Sequence, residues 1–440
     1  MRAPLVVAVL WLAAGIITGL MRPVPSWGGP PLLVLALVAA AVAAIGIRRP
    51  PAGGLRFLLP LFLLAGALLG AATRMGAARS CRGWIPPDVD LVARGVVVDR
   101  SGDRMDLRVG HVEVAGARIA CGGHLPVRLG GPGGQPGEEM AVWGRWWSPP
   151  GGRSVPVRAG VLLADSARTM GRAGRPGAAP ALRSAARARV DSVFGRRAPL
   201  AAALLLAQRD GLDREVRDQY ARAGLSHLLA ISGLHVGIAA GILLLLAGIA
   251  RLRRGAAALA ASVGTLAYVG LLGAPHSAAR AGLQIVLVLA ARVLQRPARA
   301  EALMAAAALV LLVADPGALL GPGFQLSFAG VAGILALRPA FAHGLRPVAG
   351  LRVASLPVGR WLADGLATST AATVATAPVV AWHFGRVAPI GIAANLLAVP
   401  LLAVTVPALV VALAAGWVWL PAGRFLADTG VLCLDVLDRI

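Results

Sequence analysis

Residues 232–254 read SGLHVGIAAGILLLLAGIARLRR. From Ser232 to Ala250 no side chain carries a fixed charge, and Arg251, Arg253 and Arg254 follow at once. A helix needs about 20 apolar residues to cross a bilayer. Arginines gathered at one end mark the end that stays on the cytoplasmic side. The stretch therefore reads as a membrane span with its arginines inside.

The pattern repeats outward from there. Apolar runs recur at 256–273, 281–294, 301–314, 323–337, 366–382, 388–404, 405–420 and 425–440, and earlier at 4–21, 31–47 and 55–73. Together they predict about ten to twelve spans, several short enough to be broken or re-entrant. Arg48, Arg49 and Arg56, then Arg296 and Arg299, then Arg338, Arg346, Arg352 and Arg360 fall in every second connection. That parity leaves 22–30, 274–279, 315–322 and the long polar region 74–197 outside. Met1-Arg2 with the apolar run behind it reads as a signal-anchor span, not a cleaved leader.

Composition agrees. Hydrophobic residues make up 57%, charged residues 14%, and the mean hydropathy is +0.74. Soluble domains carry about a quarter charged residues, so this chain cannot keep its apolar surface from water as a globule. The 55 glycines suit backbones that approach closely inside lipid. The net charge is +23, and all 43 basic residues are arginine. Two readings stand: the cytoplasmic arginine of any membrane protein, or a surface whose guanidinium forks fit phosphate.

Within 74–197, the segments 91–98, 104–109, 112–119, 124–129, 139–146 and 158–164 are β-branched and bounded by Gly, Pro and Asp turns. Five or six short strands predict a small β-barrel, OB-like in the first instance. Trp143, Trp146 and Trp147 beside Arg145 read as base-stacking groups or, equally, as barrel core or membrane-surface aromatics. Cys81 and Cys121 bracket this region and would form a disulfide if it lies outside the cytoplasm, whereas Cys433 reads as a buried thiol. An amphipathic helix is expected at 180–194. No Cys-x-x-Cys or His/Cys pair has metal spacing, so neither a metal nor another cofactor is expected.

Four stretches carry a resemblance. His227–Gly237 reads HLLAISGLHVG. Gly273, Ser277, Arg280 and Ala281 follow the pattern G-x-x-x-S-x-x-R-A. Residues 323–335 read GFQLSFAGVAGIL, and 395–400 read NLLAVP. In this order they resemble the ComEC-type competence family, channels that carry single-stranded DNA into bacteria. Gln284 is a small departure, at a place where the pattern has Met. The resemblance implies a polytopic α-helical membrane protein with an inserted extracytoplasmic β-barrel. It divides the chain into N-terminal spans 1–73, a β domain 74–170, an amphipathic linker 171–200 and a helical channel domain 201–440. It implies a multi-pass protein of the cell inner membrane. Its partners would be single-stranded DNA, membrane lipid, a surface DNA receptor, cytoplasmic DNA-handling proteins, a separate nuclease and a second copy of the chain. Many members continue into a metallo-β-lactamase-like domain. No H-x-H-x-D motif occurs in these 440 residues, so a short form without nuclease activity is expected.

The polar residues inside apolar runs are the site candidates: His227, Ser232, Gly233, His235, Ser277, Arg280, Gln325, Ser327 and Asn395. Ionisable groups in a membrane face cavities or partners. Arg280 is the first candidate for a phosphate contact, against a side chain that merely reaches the headgroups. Ser232 and His235, three apart, read as pore lining or as helix-to-helix hydrogen bonding. Two other classes compete. Ala230-Ile-Ser-Gly233 superficially resembles the G-x-S-G of an intramembrane serine protease, with His343 and His383 as later histidines. A secondary transporter of a small anion would show inverted repeats, which this sequence does not display.

Overall fold

A computed structural model describes residues 4–21, 59–81, 85–86, 88–101, 104–129, 133–147, 160–172, 178–209, 211–229, 231–296, 299–344 and 357–438. They form two compact units, residues 1–182 with 308–320 and residues 183–307 with 321–440.

In the first unit α1 (Pro4–Met21) lies against α2 (Leu59–Arg79). A Cβ at Gly15 would stand 2.1 Å from the Leu63 carbonyl oxygen, and one at Gly19 2.0 Å from that of Ala67. From the other side, Cβ atoms at Gly66 and Gly70 would meet the carbonyls of Leu12 and Ile16 at 2.1 and 2.3 Å. Only hydrogen fits, so the backbones touch, as small residues spaced four apart allow between membrane helices. The contacts advance together along both helices, so the pair is parallel and Met21 and Arg79 share an end. The helices of the first and third expected runs pack this way. The expected run at 31–47 lies outside the described residues.

The same unit holds β1 (Val89–Ser101), β2 (Arg104–Val114), β3 (Ala117–Leu129), β4 (Glu138–Trp147) and β5 (Val161–Arg172). They pair in the order β1-β2-β3-β5-β4, and β4 pairs back onto β1, which closes the sheet. Only the β3–β5 pairing is parallel. Alternation turns Leu91, Leu107, Leu125, Val142, Trp146 and Leu162 into one core. The strand expected over 112–119 is corrected. Ala115 and Gly116 have positive φ and make the β2–β3 turn inside it. The stretch 124–129 is the second half of a single β3, and β5 runs to Arg172, past the expected boundary at 170. Cys81, just beyond α2, is disulfide-bonded to Cys121 on β3, with Cα atoms 4.8 Å apart.

The second unit begins with α3 (Ala178–Phe194), near the expected 180–194, which buries Ala186, Val190, Val193 and Phe194. These join α4 (Ala198–Leu206), which is buried all round, in one apolar cluster. The charged α5 (Arg214–Arg222) buries only Tyr220. Then come α6 (Gly233–Ile249), α7 (Arg254–Leu271), α8 (His276–Val293), α9 (Ala300–Ala314), which crosses the division between the units, α10 (Pro322–Gly344), α11 (Pro357–Phe384), α12 (Gly391–Val418) and α13 (Leu420–Asp438).

Among the described residues α7, α10 and α12 are long and apolar enough to cross a membrane, with mean hydropathies of 1.2, 1.4 and 2.6. The apolar helical stretches Val6–Met21, Pro60–Thr73, Gly233–Ile249 and Ala300–Ala314 are shorter. The expectation of ten to twelve spans is reduced for two physical reasons. The runs 388–404 and 405–420 are one helix, α12, which continues through Pro400 and Pro407. In α8 and α11 polar side chains such as Arg280, Gln284, Asp364 and Ser369 dilute the apolar character. Cys433 is half-buried, not buried.

At one end of this unit Arg197 pairs with both Asp435 and Asp438 of α13. The Tyr220 hydroxyl donates to Asp438 Oδ1 at 2.8 Å. Burial, and then the Asp438 charge, push the Tyr220 phenol well above its ordinary range. Nearby, Gly224 has φ +73° and its Cβ would lie 2.8 Å from the Gly391 Cα, so no side chain fits where the two backbones meet.

Candidate functional site

Helix direction gathers the polar residues of the second unit. Helices α8 and α10 run parallel, since Gly323 faces His276 and Ser327 faces Arg280. Helices α10 and α11 run antiparallel, since Gln325 meets His383 and Arg338 meets Asp364. Ser232 and His235 start α6, Ser277 and Arg280 start α8, and Gln325 and Ser327 start α10. His383 ends α11, and Asn395 starts α12. The starts of α6, α8 and α10 and the end of α11 thus bring Ser232, Arg280, Ser327 and His383 towards one end.

Arg280 is the centre of this group. It is only 8% exposed. Its Nε donates to Ser327 Oγ at 2.6 Å and its Nη1 to Gln284 Oε1 at 2.7 Å. The guanidinium also stands 6.0 Å from the centroid of the Phe328 ring, within cation–π reach. No carboxylate pairs with it among the described residues. Charged side chains that are buried are normally paired, so an arginine held only by neutral groups is unusual.

The start of α6 abuts this guanidinium. A Cβ on Gly233 would lie 3.8 Å from Arg280 Nη2 and 3.6 Å from the Ala281 Cβ. Ser232 and His235 do not share a helix face as expected, because Ser232 is the N-cap in an extended conformation. The two form a capping box, with His235 in the place that Glu or Gln usually takes. The Ser232 backbone N–H donates to His235 Nδ1 at 3.3 Å, and Ser232 Oγ lies 3.1 Å from the same nitrogen. His235 is 1% exposed, and its Nε2 has no partner among the described residues.

The other candidates make their own pairs. Ser277 Oγ donates to the Ile231 carbonyl at 2.7 Å, tying α8 to the turn before α6. Gln325 Oε1 lies 2.8 Å from His383 Nε2, a partner the sequence reading had given only to the protease alternative. Asn395 Nδ2 donates to Ser369 Oγ at 3.1 Å, while its Oδ1 is buried without a partner among the described residues. Ser369 and Phe328 were not singled out in sequence, and Gln284 was noted only as a departure from the family pattern. Its i, i+4 spacing from Arg280 was the signal for their contact. His227 lies exposed in the turn between α5 and α6.

On the barrel, Trp146 corrects its base-stacking reading. It is wholly buried, because on β4 it alternates inward with Met140 and Val142. Trp143, Arg145 and Trp147 alternate outward instead, and Arg145 pairs with Asp90 at 3.2 Å.

The model of the competence protein family matches residues 204–440, the part of the chain that holds every helical candidate above. The chain belongs to the competence protein family. A competence relative, ComE operon protein 3 of Bacillus subtilis (strain 168), is 31% identical over 199 residues. That alignment covers 45% of this chain and 24% of the relative, so the chain spans about a quarter of the relative's length. No solved structure matches this competence protein.

Proposed function

We propose that the chain is the membrane part of a DNA-uptake system, in which the second unit passes single-stranded DNA through the cell inner membrane. On this reading the barrel, OB-like in its strand order, lies outside the cytoplasm and meets the strand first. Family membership supports a role in competence. The observation that carries the reading is Arg280, a buried cation whose partners among the described residues, Ser327, Gln284 and Phe328, are all neutral. A strand phosphate supplies the missing negative charge, and guanidinium forks suit phosphate geometry. The alternating arginines of the connections support the orientation. Outside the second unit, the exposed Trp143 and Trp147 flanking Arg145 form a stacking stripe for bases. Receptor, DNA-handling and nuclease partners, and a second copy of the chain, complete the system in the same proposal.

The test is DNase-resistant uptake of labelled DNA by host cells whose own copy carries Arg280→Gln, with surface-bound DNA counted separately. Loss of internalised strand with unchanged surface binding and unchanged protein level supports the channel. Normal uptake in that strain removes Arg280 from the path.

One observation favours a second reading, the 3.1 Å approach of Ser232 Oγ to His235 Nδ1. A serine nucleophile needs its histidine oriented by a third group. Here the histidine nitrogen facing Ser232 also accepts from the backbone, and the other has no described acceptor, which describes a helix cap. Ser232→Ala abolishes cleavage of a membrane peptide substrate under the protease reading and leaves an uptake channel folded under ours.

A further inference from the structure

The barrel carries an inference that rests on the membrane part of the uptake reading and deepens it. One rim of the barrel holds Val89 at the start of β1, the Ala115–Gly116 turn, Trp147 at the finish of β4 and Val161 at the start of β5. The chain path ties this rim to α2. Residues 80–88 alone separate α2 from β1, and they are fastened along their length. Ser80 forms a parallel bridge with Gly122, and Cys81 is bonded to Cys121 with Cα atoms 4.8 Å apart. Ile85 is wholly buried in the barrel core, and the Asp88 N–H donates to the Trp146 carbonyl at 2.9 Å.

These contacts set a direction and a height. Strand β3 runs from Ala117 at this rim to Leu129 at the other, and the parallel bridge makes the chain leaving α2 run the same way. Helix α2 therefore approaches from the side of this rim. Cys121 stands four residues past Ala117, about 10 Å up the barrel once the tilt of the strands is allowed for. The end of α2, two residues before Cys81, is lower still. Its 21 residues make about 31 Å of helix, which matches a hydrocarbon core about 30 Å thick. On α1 and α2 the side chains of Leu10, Ile17, Met21 and Leu64 remain exposed, an apolar surface that lipid covers. A bilayer around this pair ends where the barrel begins.

Trp147 stands at that boundary. It is 42% exposed, with Arg145 two residues higher on the same face. A tryptophan ring suits the headgroup layer, where its body is sheltered and its N–H stays wet. Asp90 pairs with Arg145 at 3.2 Å, so this face holds no spare positive charge to select acidic lipid. The fit is to zwitterionic headgroups, through the ring. We infer that this rim of the barrel rests in the headgroup layer of the bilayer, with Trp147 as its anchor. Trp143 lies four residues farther along β4, about 10 Å higher and clear of a headgroup layer about 5–8 Å deep. The stripe proposed to stack bases then stands upright, its foot among the headgroups, and leads a strand down to the membrane surface.

The experiment uses the full chain in phosphatidylcholine nanodiscs with oligothymidylate present. The photo-cross-linker p-benzoylphenylalanine replaces Trp147, Trp143, Ala117 or Leu259 in turn, and mass spectrometry of the peptides reads the adducts. Leu259, 66% exposed on α7, is the lipid control. Ala117, exposed at the same rim as Trp147, decides the matter if the Trp147 variant lacks the Cys81–Cys121 pair that reports a folded barrel. We expect lipid adducts from Trp147, Ala117 and Leu259, and their loss at Trp143. No lipid adduct at Trp147 while Leu259 gives one overturns the inference and leaves the uptake reading standing. Equal lipid adducts at Trp147 and Trp143 overturn it as well, because the stripe then lies flat. A strand adduct at Trp147 in place of lipid assigns the rim to DNA and overturns it too. If Leu259 gives no lipid adduct, the membrane reading falls and the inference falls with it.

Discussion

Replacing Arg280 with methionine asks whether the guanidinium is there for the fold or for the strand. The fold loses two charge-assisted hydrogen bonds, to Ser327 and Gln284. At about 1.5–3 kcal/mol each, these come to about 3–6 kcal/mol. Against them stands the desolvation of a cation that is 8% exposed and has no described counter-charge, a cost of several kcal/mol that methionine does not incur. Methionine also fills similar length with a flexible apolar chain beside Phe328. The two sides offset to within about 2 kcal/mol, so the melting midpoint in detergent should stay within about 5 °C of wild type. Uptake should behave otherwise. Losing one charge-assisted phosphate contact, about 1.5–3 kcal/mol, lowers DNase-resistant uptake at least about tenfold. A midpoint that drops by more than about 10 °C, with uptake falling only as far as folded protein falls, would show that Arg280 is a structural bolt and refute the reasoning.

Other outcomes follow from the same geometry. Gly66→Val forces a side chain onto the Leu12 carbonyl, which even a Cβ would meet at 2.1 Å; a loss of about 1–3 kcal/mol is expected, and a cysteine cross-link placed between α1 and α2 should weaken with it. Cys121→Ser opens a covalent loop spanning 40 residues and should lower barrel stability by up to about 4 kcal/mol, while non-reducing peptide mapping of the wild type should recover the Cys81–Cys121 pair and not two free thiols. At Gly233, alanine meets ordinary contact distances of 3.6 and 3.8 Å and should preserve uptake, whereas leucine should wedge α6 from Arg280 and abolish it. Tyr220 has its phenol pushed up from about 10, so the unfolded chain releases that proton first. Stability should therefore fall as pH rises above about 10, and Tyr220→Phe should blunt that alkaline loss in a melting series.

Much of the architecture was legible because lipid imposes strong rules on sequence. The run after Ser232 declared itself by length and by Arg251, Arg253 and Arg254. The barrel declared itself by β-branched alternation. What failed did so for identifiable reasons. A period-2 pattern cannot see that Ala115–Gly116 turns the chain within an apparently continuous strand. Nor can it say which of three neighbouring tryptophans points inward, since a slip of one residue exchanges the faces. The apolar runs 388–404 and 405–420 were read as two, but membrane helices tolerate proline, and α12 runs through both, past Pro400 and Pro407. In the site, Arg280 was found because a charge in an apolar run is conspicuous. Its pairing with Ser327 was not, because the two become neighbours only when α8 and α10 run side by side, whereas Gln284 stands one turn along the same helix. The cap role of Ser232 was likewise invisible, as Ser-x-x-His lacks the acidic third residue that marks a capping box.

The two prolines within α12 also change how that helix deforms. Each lacks an amide hydrogen, so the carbonyls of Leu396 and Ala403, one turn earlier, have no donor within the helix. Flexing at these two points breaks no further rung of the ladder, and this strongly apolar helix carries two built-in joints just after Asn395.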